Sequence, residues 1–312
     1  MKRAVSISIG SSKRDKAVEI DLMGERVRLE RIGTDGDIEK AARLYQELDG
    51  VVDAFGVGGT DLGLRVGDRY YKLHSIQAMV RYVHKTPLVD GNGLKASLER
   101  KTSRVLREQL ASYITVKKAL VTTAVDRWGM AEAALEAGYQ CVFGDLIFSL
   151  GIPIPLRSAG AVRLFAALLM PLATRLPFEW IYPVGESQGQ RKPKYTSFFT
   201  EASVVMGDCH YVYRYMPDDM RGKVVITNTT TPEDVETFRR AGVRYLVTTT
   251  PVLDGRSFGT NMMEAALVAA SGRKDPVNYA HPGDYFQWMA GLVEQLKMEP
   301  QVQDLQVGER VN

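Results

Sequence analysis

The feature that most restricts the fold is a regular alternation of strand-like and helix-like segments in the second half of the chain. From Val116 onward, short apolar runs recur as KALVTTA, QCVFGD, EWIYPVG, ASVVMGD, KVVITNT and RYLVTTT. Helical periodicity follows several of these runs, and we predict helices at residues 130–137, 161–173, 232–241 and 260–270. This spacing predicts a Rossmann-like, doubly wound and mainly parallel sheet of the α/β class.

The first third of the chain is also α/β but contains hairpins. AVSISIG has the alternation of a strand, and AVEIDLMGERVRLERIG predicts a hairpin that turns at Gly24-Glu25. Asp37 is placed to cap an amphipathic helix, and a long helix over residues 94–113 bridges to the second half. Since 312 residues are long for one core, we predict an N-terminal α/β substrate domain over 1–113 and a Rossmann-like nucleotide-binding domain over 114–312.

The end of the chain gives two further predictions. The segment YFQWMAGLVEQL is expected to form a last helix that packs back onto the first domain. After Glu299 the sequence becomes polar, and we expect a frayed end.

Composition excludes several classes of protein. A net charge of +3 from 40 basic and 37 acidic residues, with no basic tract, gives no support to a nucleic-acid partner. Cys141 and Cys209 form no CxxC pair, which indicates a cytoplasmic protein without a disulfide framework. The N-terminus lacks the apolar region of a signal peptide. LFAALLMPLA is far shorter than the ~20 residues of a membrane span, so we interpret it as a buried helix or the interface of a homodimer, with a lipid-facing or substrate-tail surface as the alternative.

Polar residues gather where the predicted parallel strands end. Three runs end in glycine and an acid, at Asp145, Glu186 and Asp208, and two end in threonines at 227–231 and 248–250. In an open parallel sheet, ligands bind beyond these carboxyl ends. We therefore predict that Thr227, Thr229 and Thr249 bind the ribose or phosphate of a cofactor. The alternative is that such threonines only cap the following helices.

The turn TTAVDRWG resembles half of a dinucleotide fingerprint. Gly129 supplies its last glycine, and Asp145 follows about twenty residues later, where an acid binds a ribose hydroxyl. Asp126 would repel phosphates unless Arg127 or a metal neutralises it. We predict that Thr123, Asp126, Arg127, Gly129 and Asp145 bind NAD or NADP, with Asp145 favouring NAD. A purely structural turn or a different nucleotide is the alternative.

A second glycine-rich segment, DGRSFGTN, lies between the last strand-like run and a helix. It resembles the segment of two-domain dehydrogenases that closes over the nicotinamide end of the cofactor and touches the substrate. We predict that Gly259 contacts the cofactor and that Arg256 and Ser257 contact the substrate. The alternative is a plain loop that caps the helix.

Loops of the first domain carry candidate groups for proton transfer. Lys13, Asp90 and Lys95 follow its strands, and GGTDLG and VDGNGLK add Asp61 and Asn92. A lysine beside a carboxylate suits proton exchange with a hydroxyl, because burial and a neighbouring charge are expected to move the lysine pKa towards neutrality. His210, in GDCHY, is a further candidate acid or base. Solvated loop charges are the alternative.

Taken together, ISIGSSKRD, VDGNGLK, VDRWGMAEA, FGDLIFSLGIPIPLRS and TTTPVLDGRSFGTN resemble bacterial quinate/shikimate 5-dehydrogenase-like proteins. The resemblance covers nearly the whole chain. It implies an N-terminal substrate domain, a C-terminal domain for NADP or NAD, and a lysine–aspartate pair that moves the proton of a substrate hydroxyl. It also implies that Ser11 and Ser12 are a loose counterpart of the family's substrate-binding serines. The motifs diverge from those of true shikimate dehydrogenases, since the Asn-Val-Thr-x-Pro-x-Lys loop is absent.

The resulting hypothesis is an NAD(P)-dependent dehydrogenase that acts on a hydroxylated, carboxylated small molecule. The alternative is a Rossmann-fold protein that binds a nucleotide or metabolite without hydride transfer.

Overall fold

The structure is a computed structural model that describes residues 1–176, 191–250, 259–277 and 282–306, and the backbone of two short strands at 252–253 and 256–257. The predicted strand EWIYPVG and Glu186 lie outside the described residues. Within the described ranges, the strands form two main sheets and the helices pack on their faces. The mixed α/β class predicted from the sequence is confirmed.

The first sheet is built from the N-terminal part of the chain. It has the order β2-β3-β1-β4-β7, and every neighbouring pair is parallel except the β2–β3 hairpin. The predicted hairpin at Gly24 is thus confirmed, and a separate hairpin joins β5 and β6. The strands of this region are β1 (Lys2–Ser8), β2 (Lys16–Leu22), β3 (Glu25–Gly33), β4 (Ala54–Gly58), β5 (Gly63–Val66), β6 (Arg69–Lys72) and β7 (Leu88–Val89).

The second sheet has the order β15-β12-β11-β10-β8-β9 and is parallel except at β15. Its strands, with the short β13–β14 hairpin, are β8 (Lys118–Val121), β9 (Gln140–Phe143), β10 (Val204–Met206), β11 (Val224–Thr227), β12 (Tyr245–Thr248), β13 (Val252–Leu253), β14 (Arg256–Ser257) and β15 (Gln301–Asp304). The expectation of a frayed end after Glu299 was wrong. Polar residues 301–304 pair antiparallel with β12, where the sheet edge offers free backbone groups.

Ten helices are described, and capping explains where several begin. Asp37 accepts a hydrogen bond from the Lys40 amide at 2.8 Å, and Thr231 and Asp234 form a capping box. The helices are α1 (Ile38–Leu48), α2 (His74–Gln77), α3 (Asn92–Arg104), α4 (Trp128–Glu136), α5 (Ala159–Ala173), α6 (Thr196–Glu201), α7 (Cys209–Tyr215), α8 (Pro232–Arg240), α9 (Thr260–Ser271) and α10 (Gly283–Gln295). The sequence predicted neither α6 nor α7.

Helix α9 packs on the first sheet, and α10 packs on α3. Met263 and Ala266 of α9 and Met289 of α10 share one buried apolar cluster with Leu29 and Val89 of the sheet. β4 and α9 approach so closely that a Cβ on Gly56 would lie 2.9 Å from the Asn261 carbonyl oxygen. The start of α9 is thereby fixed beside the carboxyl ends of β1 and β4. None of the helices in the described ranges is both long and apolar enough to cross a membrane.

Candidate functional site

A cleft of about 610 Å³ opens where strands of both sheets reach their carboxyl ends. This volume lies within the range of small-molecule sites. The polar and charged groups come from the loops after β4, β7, β8, β10 and β11, and from α3, α7 and the start of α9. They are Thr60, Asp61, Asp90, Lys95, Asp126, Arg127, Asp208, His210, Arg214, Asn228, Thr229, Thr260 and Asn261, together with Ser149 from the segment after β9. Many of the residues predicted from the sequence therefore share one cavity.

Lys95 lies between two carboxylates of this cleft. Its Nζ is 3.3 Å from Asp61 Oδ2 and 3.5 Å from Asp126 Oδ1, and its side chain is 10% exposed. Burial alone lowers the pKa of Lys95, but the charges of Asp61 and Asp126 outweigh it and raise the pKa above its ordinary value. The expected shift towards neutrality was wrong, because two acids face the ammonium group. Lys95 is therefore a permanent hydrogen-bond donor near pH 7.

Asp61 and Asp90 have different surroundings. Burial raises the pKa of Asp61 to about 6, against the opposing effect of Lys95. The carboxylate of Asp90 accepts bonds from the Leu62 amide at 2.8 Å and from the Asn92 side chain at 2.7 Å. Burial also raises the pKa of Asp90, while these bonds act in the opposite direction. Asp90 and Asn92 thus hold the loops in place, whereas Asp61 is one of the two carboxylates that contact Lys95.

Arg127 is the centre of a buried ion-pair network. Its guanidinium contacts Asp126 at 3.1 Å, Glu99 at 3.2 Å and Asp208 at 2.5 Å. Burial raises the pKa of Asp126, but the charges of Arg127 and Lys95 outweigh it, so the pKa lies below its ordinary value. Asp126 is therefore ionised and has the neutralising partner that the sequence required. Within the described residues, no group of three or more acidic, histidine or cysteine side chains is arranged to hold a metal ion.

The first turn of α4 faces α3 and not the open cleft. A Cβ on Gly129 would lie 2.8 Å from Glu99 Cβ and 3.3 Å from the Ala96 carbonyl oxygen. Gly129 therefore permits a close contact between two helices. Of the turn at 123–129, Asp126 and Arg127 line the cleft. A pyrophosphate placed on the N-terminus of α4 in the usual way would require α3 to move.

Asp145 supports this turn from beneath. It is 2% exposed, and its Oδ1 accepts a bond from the Val125 amide at 2.8 Å. Burial raises the pKa of Asp145 to about 6, and its Oδ2 has no hydrogen-bond partner among the described residues. Asp145 does not line the cleft, so its side chain is not placed to bind a ribose there. Thr123 is likewise buried, and its carbonyl accepts a bond from the Arg127 amide at 3.0 Å.

The predicted threonines separate into two groups. Thr227 and Thr249 are buried, and the Thr249 amide donates to the Thr227 carbonyl at 2.9 Å. Thr227 also donates to the Asn228 side chain at 3.1 Å. Thr229 lines the cleft, and its hydroxyl lies 2.6 Å from that of Thr250. Of the three predicted threonines, Thr229 is therefore the one that lines the cleft.

The remaining predicted residues lie elsewhere. Ser11, Ser12 and Lys13 form a short turn at the surface, where the Ser12 amide donates to Asp35 at 2.8 Å, and they do not line the cleft. Gly259 precedes α9 and lines an adjoining groove of about 310 Å³. The groove meets the cleft at Gly59 and Asn261, and its charged residues are Arg14, Lys16 and Arg31. Arg256 and Ser257 are described only as backbone in β14.

Sequence reasoning missed an aromatic wall of the cleft. Phe148, Tyr211 and Tyr215 line one side, with ring centroids 5.1 Å apart for Phe148–Tyr215 and 6.3 Å for Tyr211–Tyr215. The two tyrosines share one face of α7, which begins at an N-cap bond from the His210 amide to Asp208 at 3.0 Å. The Asp-x-x-Tyr-x-x-x-Tyr spacing could have predicted a capped helix with both tyrosines on one face. From the sequence alone, GDCHY resembles the end of a strand, because glycine and an acid also follow the other predicted strands.

A second missed group is Glu264, which is fully buried beneath the start of α3. It accepts bonds from the Leu94 amide at 2.6 Å and from the Tyr285 hydroxyl at 2.8 Å. Burial raises the pKa of Glu264 to about 8, although both bonds act in the opposite direction. Glu264 therefore joins α9, α3 and α10 as a carboxyl group that is mainly protonated at pH 7.

The stability of the fold should fall as the pH rises from 6 to 8, with Glu264 as a main cause. The folded state keeps this proton up to about pH 8, whereas the unfolded chain releases it near its ordinary value of 4.5. The free energy of unfolding then declines by up to about 1.4 kcal/mol per pH unit, and by about half of that at pH 8. Glu264→Gln should flatten this slope in urea unfolding at several pH values. The exposed control Glu47→Gln should keep it, and equal slopes in both variants would contradict the assignment.

Comparison with protein families places the cleft in context. Residues 93–305 match the family described as "Domain of unknown function (DUF8754)". The chain belongs to the DUF8754 family. Residues 3–90 match a second family, "Domain of unknown function (DUF8753)". The cleft draws Asp61 and Asp90 from the DUF8753 region and Lys95, Asp126 and Asp208 from the DUF8754 region.

Comparison with solved structures and curated sequences gives more distant similarities. The NAD-dependent malic enzyme of Thermotoga maritima is 12% identical with a TM-score of 0.40, over 88% of this chain and 73% of that one. Entamoeba histolytica malic enzyme is 10% identical with a TM-score of 0.42, over 97% and 65%. GanP, a glucose-galactose binding protein of Geobacillus stearothermophilus, is 11% identical with a TM-score of 0.37, over 99% of each chain. No curated protein sequence matches this chain. The ligand of the cleft must therefore be argued from its own residues.

Proposed function

We propose that this DUF8754 protein is an NAD(P)-dependent dehydrogenase that acts on the hydroxyl group of an anionic small molecule. The observation that carries the proposal is the Lys95 ammonium group held between Asp61 and Asp126 at the wall of the cleft. A fixed cation can stabilise the oxygen of an alcohol as it is oxidised, and an adjacent carboxylate can accept the hydroxyl proton.

The chemistry assigns a separate role to each group. Lys95 would donate a hydrogen bond to the substrate oxygen and stabilise the negative charge that develops there. Asp61, whose pKa is about 6, would accept the hydroxyl proton as the carbonyl forms, and it would return the proton in the reverse direction. A bound nicotinamide supplies the hydride acceptor. Asp126 would keep Lys95 in position through their 3.5 Å contact.

The cationic groove supports an anionic substrate. Arg14, Lys16 and Arg31 line the 310 Å³ groove beside Gly59 and Asn261, which also line the main cleft. A molecule that spans both spaces would place a carboxylate or phosphate among these cations and a hydroxyl near Lys95. Arg31 is already oriented by bonds to Asp15 at 2.9 Å and to Ser8 at 3.0 Å.

The nicotinamide nucleotide fits the cleft only if it avoids the N-terminus of α4, which α3 covers at Gly129. The residues able to hold it are Arg214 for phosphate, Asp126 and Thr229 for ribose hydroxyls, and the aromatic wall for a planar ring. We propose this set as the nucleotide site. Asp145, being buried under the turn, has no part in it.

The aromatic wall favours a second candidate function. Aromatic rings beside carboxylates and the Asn228 amide also suit a polyhydroxylated ligand. Such a ligand would stack its apolar face on a tyrosine ring and donate hydrogen bonds from its hydroxyls to the carboxylates. In that case the protein would bind a metabolite without hydride transfer. The two candidates differ in whether a nicotinamide nucleotide binds.

A ligand screen by thermal shift tests the proposal. Ligands that bind only the folded state raise the melting temperature by mass action. We expect NAD or NADP to stabilise the protein, ATP and S-adenosylmethionine to do so less, and hydroxy acids to add to the shift where neutral polyols do not. Stabilisation by polyols alone, with none by either nicotinamide, would overturn the dehydrogenase proposal in favour of the second candidate.

The variant Asp126→Asn should weaken binding of the nicotinamide nucleotide about tenfold or more. The change removes the carboxylate that holds both Lys95 and Arg127 and would bind a ribose hydroxyl. If the nucleotide instead lay with its phosphates against this turn, the loss of a negative charge would tighten binding. Calorimetric titration of the parent, Asp126→Asn and the surface control Asp68→Asn separates these outcomes. Tighter binding to Asp126→Asn would contradict the assignment.

A further inference from the structure

Helix α5 exposes a row of four leucines to solvent. Leu164, Leu168 and Leu172 within the helix, and Leu176 just beyond it, are 62%, 70%, 68% and 41% exposed. They recur every fourth residue and so form one ridge along the helix. We call these four residues the leucine ridge. The opposite face of α5 is already buried through Val162, Ala166 and Met170.

This exposure is concentrated in one stretch of the chain. Of the thirteen large apolar side chains that are exposed where burial is described, seven fall between Leu150 and Leu176. Scattered exposed leucines are normal, but a continuous apolar strip usually marks an interaction surface. The sequence of α5 contains one charged residue, Arg163, whose guanidinium lies 5.4 Å from the centre of the Trp128 ring. The leucine ridge therefore has almost no polar interruption.

We propose that the leucine ridge is the contact surface between two copies of this chain. A ridge of residues spaced by four fits between the same ridge of a second helix, with the axes crossed at about −50°. A two-fold axis presents identical surfaces to each other, so the ridge is its own complement. In this arrangement Leu168 and Leu172, near the middle of the ridge, lie closest to the axis.

The available surface suits a dimer of moderate affinity. A standard interface takes about 800 Å² from each partner, and four leucines at these exposures supply roughly half of it. Leu150, Ile152 and Ile154, which are 48%, 41% and 57% exposed, precede α5 in the chain and are further apolar surface. We therefore expect association in the micromolar range.

A membrane surface is the competing occupant, and the composition of α5 disfavours it. Helices that lie in a bilayer interface carry a row of lysine and arginine on the face opposite their apolar side. In α5 that opposite face is packed in the protein core, and the one arginine stacks on Trp128. The exposed arginines near the ridge, Arg157, Arg163 and Arg175, lie towards the two ends of α5 and form no continuous row along it.

Sedimentation velocity from 1 to 100 µM protein tests the proposal. The parent should approach twice the chain mass of 34.7 kDa as the concentration rises. Leu168→Glu should remain monomeric, because dimerisation would bury two carboxylates face to face. The matched control Leu135→Glu, at a leucine that is 37% exposed on α4, should associate like the parent. Circular dichroism should show that both variants are folded.

A cross-link gives the position of the axis. Leu168→Cys or Leu172→Cys should form an intermolecular disulfide under mild oxidation, while Cys141 and Cys209 are buried and should leave the parent uncross-linked. A parent that stays monomeric at 100 µM, or a Leu168→Glu variant that still dimerises, would overturn the proposal. A monomeric parent that co-sediments with anionic phospholipid vesicles would assign the ridge to a membrane.

Discussion

Lys95→Met should reduce turnover by about 10² to 10⁴, because the substrate oxygen loses its fixed hydrogen-bond donor. The ammonium group lies within 3.5 Å of both Asp61 and Asp126. Methionine has a similar length without the charge, so the two carboxylates would face each other across the cleft with no cation between them. The assay uses the hydroxy acid and nicotinamide identified by the ligand screen.

The pH profile provides a second readout of the same variant. Asp61 must be ionised to accept a proton, so alcohol oxidation by the parent should rise with pH through about 6. Removal of the Lys95 charge raises the pKa of Asp61 further, because that charge is what opposes burial. The residual activity of Lys95→Met should therefore rise at a higher pH than that of the parent.

The control for this experiment keeps the positive charge. Lys95→Arg should retain the pH dependence of the parent with a moderate loss of turnover, since its planar group places the donors differently. Unchanged turnover in Lys95→Met would remove Lys95 from the chemistry and leave it as an ion-pair partner in the wall of the cleft.

The fold was largely predictable from local patterns. Alternation of apolar strands with capped helices identifies the α/β class, and Asp37 and Thr231 carry their helix caps in the sequence itself. β15 was not predictable, because Gln301–Asp304 contains one apolar residue, Val302, and is held by the free edge of β12. α7 was missed because glycine and an acid follow β10, as at the other strand ends, whereas Asp208 is a helix cap.

The charged residues of the candidate site were largely predictable, but its aromatic wall and its electrostatics were not. Asp61, Asp90, Lys95 and Asp126 could be placed in one cleft because they follow the carboxyl ends of parallel strands. The direction of the Lys95 pKa depends on how many carboxylates surround the ammonium, which is a property of the tertiary fold. The role of Asp145 also depends on the tertiary fold. Its position after β9 suits a contact with a ribose, but its side chain points inwards and accepts a hydrogen bond from the Val125 amide.

The largest loss of stability should follow Arg127→Met. Arg127 bridges Glu99 of α3, Asp126 of its own turn and Asp208 after β10. Arg127 and Glu99 are almost fully buried, at 7% and 1% exposed. Removal of one partner from a buried ion-pair network leaves uncompensated charges and typically costs about 3–5 kcal/mol. Urea unfolding at pH 7 measures the effect.

The stability lost in Arg127→Met should increase as the pH rises. Burial already raises the pKa of Glu99, and Arg127 is the main group that opposes this rise. Without Arg127 the folded state holds the Glu99 proton more tightly than the unfolded chain does, so stability falls as the pH rises above about 4.5. Arg127→Met should therefore lie closer to the parent at pH 5 than at pH 8.

A double variant distinguishes this cause from simple loss of side-chain volume. Glu99→Gln combined with Arg127→Met removes one stranded carboxylate and should recover part of the lost stability, whereas loss of volume alone would make the two changes additive. The surface control Arg240→Met breaks an exposed pair with Glu236 and should change stability by no more than about 0.5 kcal/mol. A double variant that is less stable than Arg127→Met, or a loss that does not vary with pH, would show that the network is not what joins α3 to the turn after β8.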